Sequence, residues 1–186
     1  MHRLITLLGL FAPIRAFGTV LLTQEQALKQ MFPDADEVEP VSLLLAADQV
    51  ARVKDELGGK WTLYAPAGKP GETTEHDSVT FFFARKQGRQ TGVAMIEVQP
   101  GKWGPTKYVI ALDMDGKVTN LALMSYIEQH GRPIATRRFL GQFIGKTSRS
   151  ALQIGKDVDA VSGATIVSRA TAFAVKKVIV LYETIY

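Results

Sequence analysis

The spacing of apolar residues changes twice along the chain, from helical near the N-terminus to short apolar runs in the middle and back to helical at the end. Thr23, followed three residues later by Gln26, reads as a capping box that opens a short helix ending near Phe32 and Pro33. Residues 33–36 (Pro-Asp-Ala-Asp) are turn formers. Val50, Val53 and Leu57 fall on one face of a helix over 48–57, which Gly58 and Gly59 stop. The stretch 67–78 is polar, rich in Gly, Pro and Thr, and reads as a loop. Runs 79–84 and 92–98 are rich in strand formers and are joined by the turn-like Lys86, Gln87 and Gly88. Runs 108–112 and 117–124 flank Asp115 and Gly116, a strong two-residue hairpin signal. Residues 133–143 read as a second surface helix closed by Gly145. From Ser162 onward, Val167, Ala170, Ala174, Val178 and Leu181 recur at threes and fours, which predicts one long terminal helix. Strands gathered between helices predict an α+β fold: an antiparallel twisted sheet with N-terminal helices and a long C-terminal helix.

Neither a linker nor an internal repeat divides the chain, so residues 19–186 are expected to form a single domain. The first 18 residues read differently. His2 and Arg3 precede an apolar run from Leu4 to Ala12, then Pro13, then the small residues Ala16 and Gly18. That order is a secretory signal with cleavage after Gly18, which would place the protein outside the cytoplasmic membrane, in the periplasm. An uncleaved membrane anchor over 4–22 is the alternative, although Pro13 and Arg15 suit a spanning helix poorly. An ordinary core helix is the third reading.

Composition removes several function classes. There is no cysteine in 186 residues, which excludes disulfides, thiolate ligation of iron–sulfur clusters, C-x-x-C-H haem attachment and thiol catalysis. The net charge of +4 is diffuse, its densest spots being the pairs Arg137-Arg138 and Lys176-Lys177. Without a basic stripe or interleaved aromatics, nucleic acid is not an expected partner. Lys176 and Lys177 read as the solvated face of the last helix.

The chemistry-bearing stretch is Asp159, Ala160, Val161, Ser162, Gly163, Ala164 and Thr165, just ahead of that helix. A helix N-terminus leaves several N–H groups unpaired, and with the helix dipole these attract an anion. Gly163 permits close approach of the backbone, Ala164 keeps the space open, and Ser162 and Thr165 bring two hydroxyls to one side. The residues describe a phosphate cradle containing a hydroxyl. They equally describe an N-cap and a tight turn. A nucleophilic serine is less well supported, since Ser162 lacks a G-x-S-x-G elbow.

The run D-x-x-[ST]-G-A-T resembles the flavinylation motif of the FMN-binding domain family. That family includes flavin subunits of the Na+-translocating quinone reductase and the Rnf complex, and NosR-like periplasmic proteins. Further blocks carry the resemblance: Trp103-Gly104-Pro105, the hairpin Asp113 to Val118, Tyr126 to Gly131, Phe139 to Lys146, and Ser168-Arg169-Ala170. Where the quinone-reductase and Rnf subunits have Glu-Thr-Pro-Gly-Leu-Gly, this chain has Glu128-Gln129-His130-Gly131, nearer to NosR-like and stand-alone domains.

The resemblance implies FMN held covalently, as a phosphoester to Thr165, by a dedicated FAD:protein FMN transferase that reads Asp159. Ser162, Gly163 and Ala164 would surround the phosphate. Trp103, Glu128, His130 and Gly131 would lie by the isoalloxazine ring, each with a plainer reading as core, turn or surface residue. No metal site and no catalytic residue is assigned to the chain itself. The implied function is an exported, covalently flavinylated carrier relaying electrons between redox partner proteins in the membrane or periplasm. A flavin-dependent reductase with its own substrate, or a regulatory flavin domain, is the alternative.

Overall fold

The computed structural model describes residues 19–64, 78–101, 104–127 and 132–186, apart from the side chains of Arg132 and Pro133. The signal or anchor reading of residues 1–18 and most of the polar loop after residue 67 lie outside the described residues.

A six-stranded, wholly antiparallel sheet is the frame, in the order β1-β6-β5-β4-β3-β2. Its strands are β1 (Thr19–Val20), β2 (Glu37–Leu44), β3 (Ser78–Lys86), β4 (Arg89–Pro100), β5 (Pro105–Leu112) and β6 (Val118–Tyr126). Helices α1 (Gln24–Met31), α2 (Ala47–Glu56), α3 (Arg137–Leu140) and α4 (Thr165–Ile185) complete it. This is the α+β arrangement that the sequence predicts.

The three consecutive phenylalanines of β3 show how the layers form. Successive side chains of a strand point to opposite faces. Phe81 and Phe83 enter the larger core with α2 and α4, while Phe82 enters a second core beneath α1 with Ala27, Met31 and Val109. Each such ring contributes roughly 1.5–3 kcal/mol when fully buried. The sheet is therefore covered on both faces. Strand β2, which carries Pro40 and gives no clear alternation, lies at the sheet edge, where a missing N–H is tolerated.

Helix α1 begins at the capping box read from the sequence: Gln26 N donates to Thr23 Oγ1 at 3.2 Å, and Thr23 N donates to Gln26 Oε1 at 2.9 Å. The Asp115-Gly116 hairpin is also present, with Asp113 Oδ1 accepting from Asp115 N at 3.0 Å and Lys117 N at 2.9 Å.

Two expectations are corrected. Residues 133–143 are not one surface helix but a broken strap: a 3-10 turn (Arg132–Ala135), the single turn α3, and a second 3-10 turn (Gly141–Phe143). Ile134, Phe139, Leu140 and Phe143 are buried in the main core, and holding all four inward bends the strap around the sheet edge. Lys177 is not on a solvated face. Helix α4 crosses the middle of the sheet, so a residue in its centre has sheet beneath it, and Lys177 is buried against Glu97 of β4. Lys176 beside it is half-buried.

Helix α4 runs diagonally across the main core. At 21 residues it is about 31 Å long. Near its end, Tyr182 Oη donates to the carbonyl of Met114 in the β5–β6 turn at 3.1 Å. Further back, Thr171 Oγ1 donates to Tyr108 Oη at 3.1 Å. The start of α4 is thereby directed toward the opposite end of the sheet, where β4 ends, β5 begins and β6 ends. Gly104 and Ile127 meet at that end, and a Cβ on Gly104 would stand 2.8 Å from Ile127 Cδ1.

Candidate functional site

The segment leading into α4 has little regular structure, so side chains tie it down. Asp157 gathers its first half. Its Oδ1 accepts from Gln153 N at 2.9 Å, and its Oδ2 accepts from Leu152 N at 3.1 Å and Lys146 Nζ at 2.9 Å. The same ammonium donates to the Asp157 carbonyl at 3.0 Å. Partial desolvation pushes the Asp157 carboxyl up, but Lys146 and the two N–H donors outweigh it and bring the group down to about 2.

Two residues on, Gln142 holds the backbone of Asp159, accepting from its N–H at 2.8 Å and donating to its carbonyl at 3.4 Å. The Asp159 side chain remains exposed. Past it, Ser168 in the first turns of α4 reaches back. Its hydroxyl accepts from Val161 N at 3.1 Å and donates to Ala164 O at 3.0 Å, with the serine itself fully buried.

Between these anchors the chain turns sharply. Ala164 N donates to Val161 O at 3.0 Å, and Gly163 sits at φ +77°, the left-handed region in which a Cβ is strained. Among the described residues, nothing lies within 4 Å of where a Gly163 Cβ would be. Thr165 is the first residue of α4, and its side chain is exposed. The residue in the capping position is Ala164, which makes no side-chain cap, and no side chain among the described residues bonds the first-turn N–H groups. The N-cap reading of Ser162 therefore does not hold, and the donors of a long helix face outward beside the Thr165 hydroxyl.

The structure thus brings together Asp159, Ser162, Gly163, Ala164 and Thr165. Trp103, Glu128, His130 and Gly131 lie outside the described residues. Gln142, Lys146, Asp157 and Ser168 shape the loop but were not expected to do so. All four bond backbone atoms of other residues, for which residue type gives no signal. A separate groove of about 760 Å³ at the outer edge of β6, lined by Leu21, Gln30, Asn120, Arg137 and Ile144 among others, includes no residue of this loop.

Comparison with known proteins matches residues 101–180 to the FMN-binding domain family. That part of the chain is similar to an FMN-binding domain. The match takes in β5, β6, the strap, the loop and most of α4. A subunit of the ion-translocating oxidoreductase complex, in two strains of Aliivibrio fischeri, is 29% identical over 119 residues, covering 58% of this chain and 57% of the relative. The chain thus spans little more than half the length of these relatives. A subunit of the Na+-translocating NADH-quinone reductase from Parabacteroides distasonis shares the fold, with TM-score 0.52 and 20% identity over 89% of this chain and 84% of that one.

The geometry of the matched region suits a phosphate-bearing cofactor. An uncapped helix start supplies N–H donors, and the positive-φ glycine leaves the approach clear. At the same end of the sheet, the fully buried Thr106 hydroxyl has no hydrogen-bond partner among the described residues. Among the described residues no group of three His, Asp or Glu is placed to hold a metal ion, and no helix is long and apolar enough to cross a membrane.

Proposed function

We propose that the chain is an exported flavoprotein that carries FMN as a phosphoester on Thr165 and relays electrons between redox partners outside the cytoplasmic membrane. The observation that carries this reading is the start of α4, where an exposed Thr165 hydroxyl stands beside first-turn N–H groups that no side chain among the described residues caps. Export rests on the order of basic, apolar and small residues in 1–18.

Attachment follows from group chemistry. The Thr165 hydroxyl oxygen forms a bond to the FMN phosphorus of FAD, the pyrophosphate P–O bond breaks, AMP leaves, and the hydroxyl proton is lost. A separate FAD:protein FMN transferase catalyses the step and reads Asp159. In the product, the first-turn N–H groups and the α4 dipole offset the phosphate charge, worth roughly 0.3–1 kcal/mol at an exposed helix end. Bound FMN supplies one- or two-electron transfer, and the protein supplies attachment, orientation and electrostatics. The relatives are subunits of ion-translocating oxidoreductase complexes. Translocation needs a membrane, which supports a membrane-associated redox partner for this chain.

Co-expression with the transferase tests the attachment. The chain gains the mass of FMN less one water, Thr165→Ala gains nothing while keeping its melting temperature, and Thr165→Ser retains some label. Flavin that leaves entirely on denaturation overturns the covalent reading. For the relay, stopped-flow mixing separates carrier from enzyme: artificial one-electron donors and acceptors reduce and reoxidise the flavinylated protein, whereas NADH and NADPH do not. Sustained turnover of NADH or a small organic acceptor without a partner protein instead makes it a reductase.

A further inference from the structure

The loop that presents Thr165 is held at its upstream end by a residue outside the motif. Gln142, in the 3-10 turn Gly141–Phe143, meets both backbone groups of Asp159, as a neighbouring strand would. The N–H of Asp159 requires an acceptor, so the 2.8 Å contact fixes which end of the amide is oxygen. The strap that carries Gln142 is itself anchored by the buried rings of Phe139 and Phe143, in edge-to-face contact at 5.5 Å between centroids. Lys146, three residues past the strap, fixes Asp157 two residues before the motif, and Ser168 fixes Val161 and Ala164 within it. Every one of the contacts at Asp159, Val161 and Ala164 falls on backbone atoms, which leaves the side chains of Asp159, Ser162 and Thr165 exposed.

We propose that Gln142 is a positioning residue for the modification of Thr165. Clamping the Asp159 backbone sets the span and direction from its free carboxylate to the Thr165 hydroxyl, the two groups the transferase must engage together. It follows that the folded domain is the better substrate. This inference rests on the reading that Thr165 is the attachment residue and that FAD donates the FMN, with AMP leaving as described above. A released loop samples many orientations, and an enzyme that binds only the competent one sees its substrate diluted by the competent fraction. The clamp thus acts on KM, with little effect on kcat.

The test uses the purified flavin-free chain, the transferase and FAD, with initial rates followed by intact mass and the labelled residue identified by peptide mapping. Gln142→Ala is expected to keep its melting transition and to lose about ten- to a hundredfold in kcat/KM, through KM. Gln142→Glu keeps an acceptor for the Asp159 N–H and recovers much of that loss. Gln142→Asn, one methylene shorter, does not. Should Gln142→Ala fail to fold, the contrast between Glu and Asn decides. A folded Gln142→Ala labelled at the wild-type rate, a loss confined to kcat, or equal behaviour of Glu and Asn overturns the proposal. Failure of the underlying reading looks different: the wild-type chain is then unlabelled, or labelled at a residue other than Thr165.

Discussion

Lys177 of α4 and Glu97 of β4 form an ion pair from which water is almost excluded, with Nζ 2.9 Å from Oε1 and side-chain exposures of 6% and 5%. The pair does not stand alone. Gln99 Nε2 donates to the same carboxylate oxygen at 2.7 Å, Gln99 Oε1 accepts from Leu63 N at 3.0 Å, and the ammonium lies 4.6 Å from the centroid of the Trp61 ring. One network therefore ties the middle of α4 to the sheet and to the segment after α2. The pairing has a side-chain reach and a direction, so it admits one register of α4 against β4. The same helix carries Thr165 at its start.

Breaking this pair from one side should cost far more than neutralising both partners. Lys177→Met leaves a buried carboxylate without its cation, and a loss of about 3–5 kcal/mol is expected in urea unfolding. The double variant Lys177→Met/Glu97→Gln keeps an acceptor for Gln99 and removes the orphan charge, so most of the loss should return. Burial pushes the Glu97 carboxyl up from 4.5, against the opposing pull of Lys177. An acid with a raised folded-state pKa makes stability fall as pH rises from its ordinary value through the raised one. The penalty of Lys177→Met should accordingly be smallest near pH 4 and grow toward neutrality. A penalty independent of pH contradicts this account.

Asp157 behaves in the opposite sense. Its carboxyl is brought down to about 2, below the ordinary 3.8, so its contribution is complete above the ordinary value and is lost as pH falls from roughly 5 toward 2. Wild type and Asp157→Asn should differ in melting temperature at pH 7 and converge near pH 2. Curves that remain parallel across the acid range count against it.

Ser168 links the loop to the helix that follows it. Ser168→Ala strips the Val161 N–H of its acceptor and the Ala164 carbonyl of one donor, at an expected cost of about 1–3 kcal/mol in denaturant unfolding. Hydrogen exchange adds a local reading. Exchange at Val161 should quicken by more than the global loss allows, because the turn opens while α4 remains packed. Exchange that merely follows global stability would show that the hydroxyl does not hold the turn.

Much of this architecture is legible along the chain because it depends on near neighbours. The capping box at Thr23, the hairpin at Asp115 and Gly116, and the apolar face from Val167 to Leu181 are set by residues within a turn or a hairpin of one another. The loop that bears Thr165 is likewise visible, since Gly163 and the small residues around it declare a tight turn ahead of a long helix. What one sequence does not carry is how distant segments meet. Lys177 looks like a solvated lysine until β4 brings a carboxylate beneath it, 80 residues away in sequence. Gln142 looks like one more polar residue of a surface helix until the inward pull of Ile134, Phe139, Leu140 and Phe143 breaks that helix and turns the amide toward Asp159, 17 residues on. The sequence by itself determined the four inner strands, the long helix and the small-residue loop that leads into it. Only the tertiary structure decided which side chains hold that loop in place, because a hydrogen bond to a distant backbone leaves no mark in the residue type that receives it.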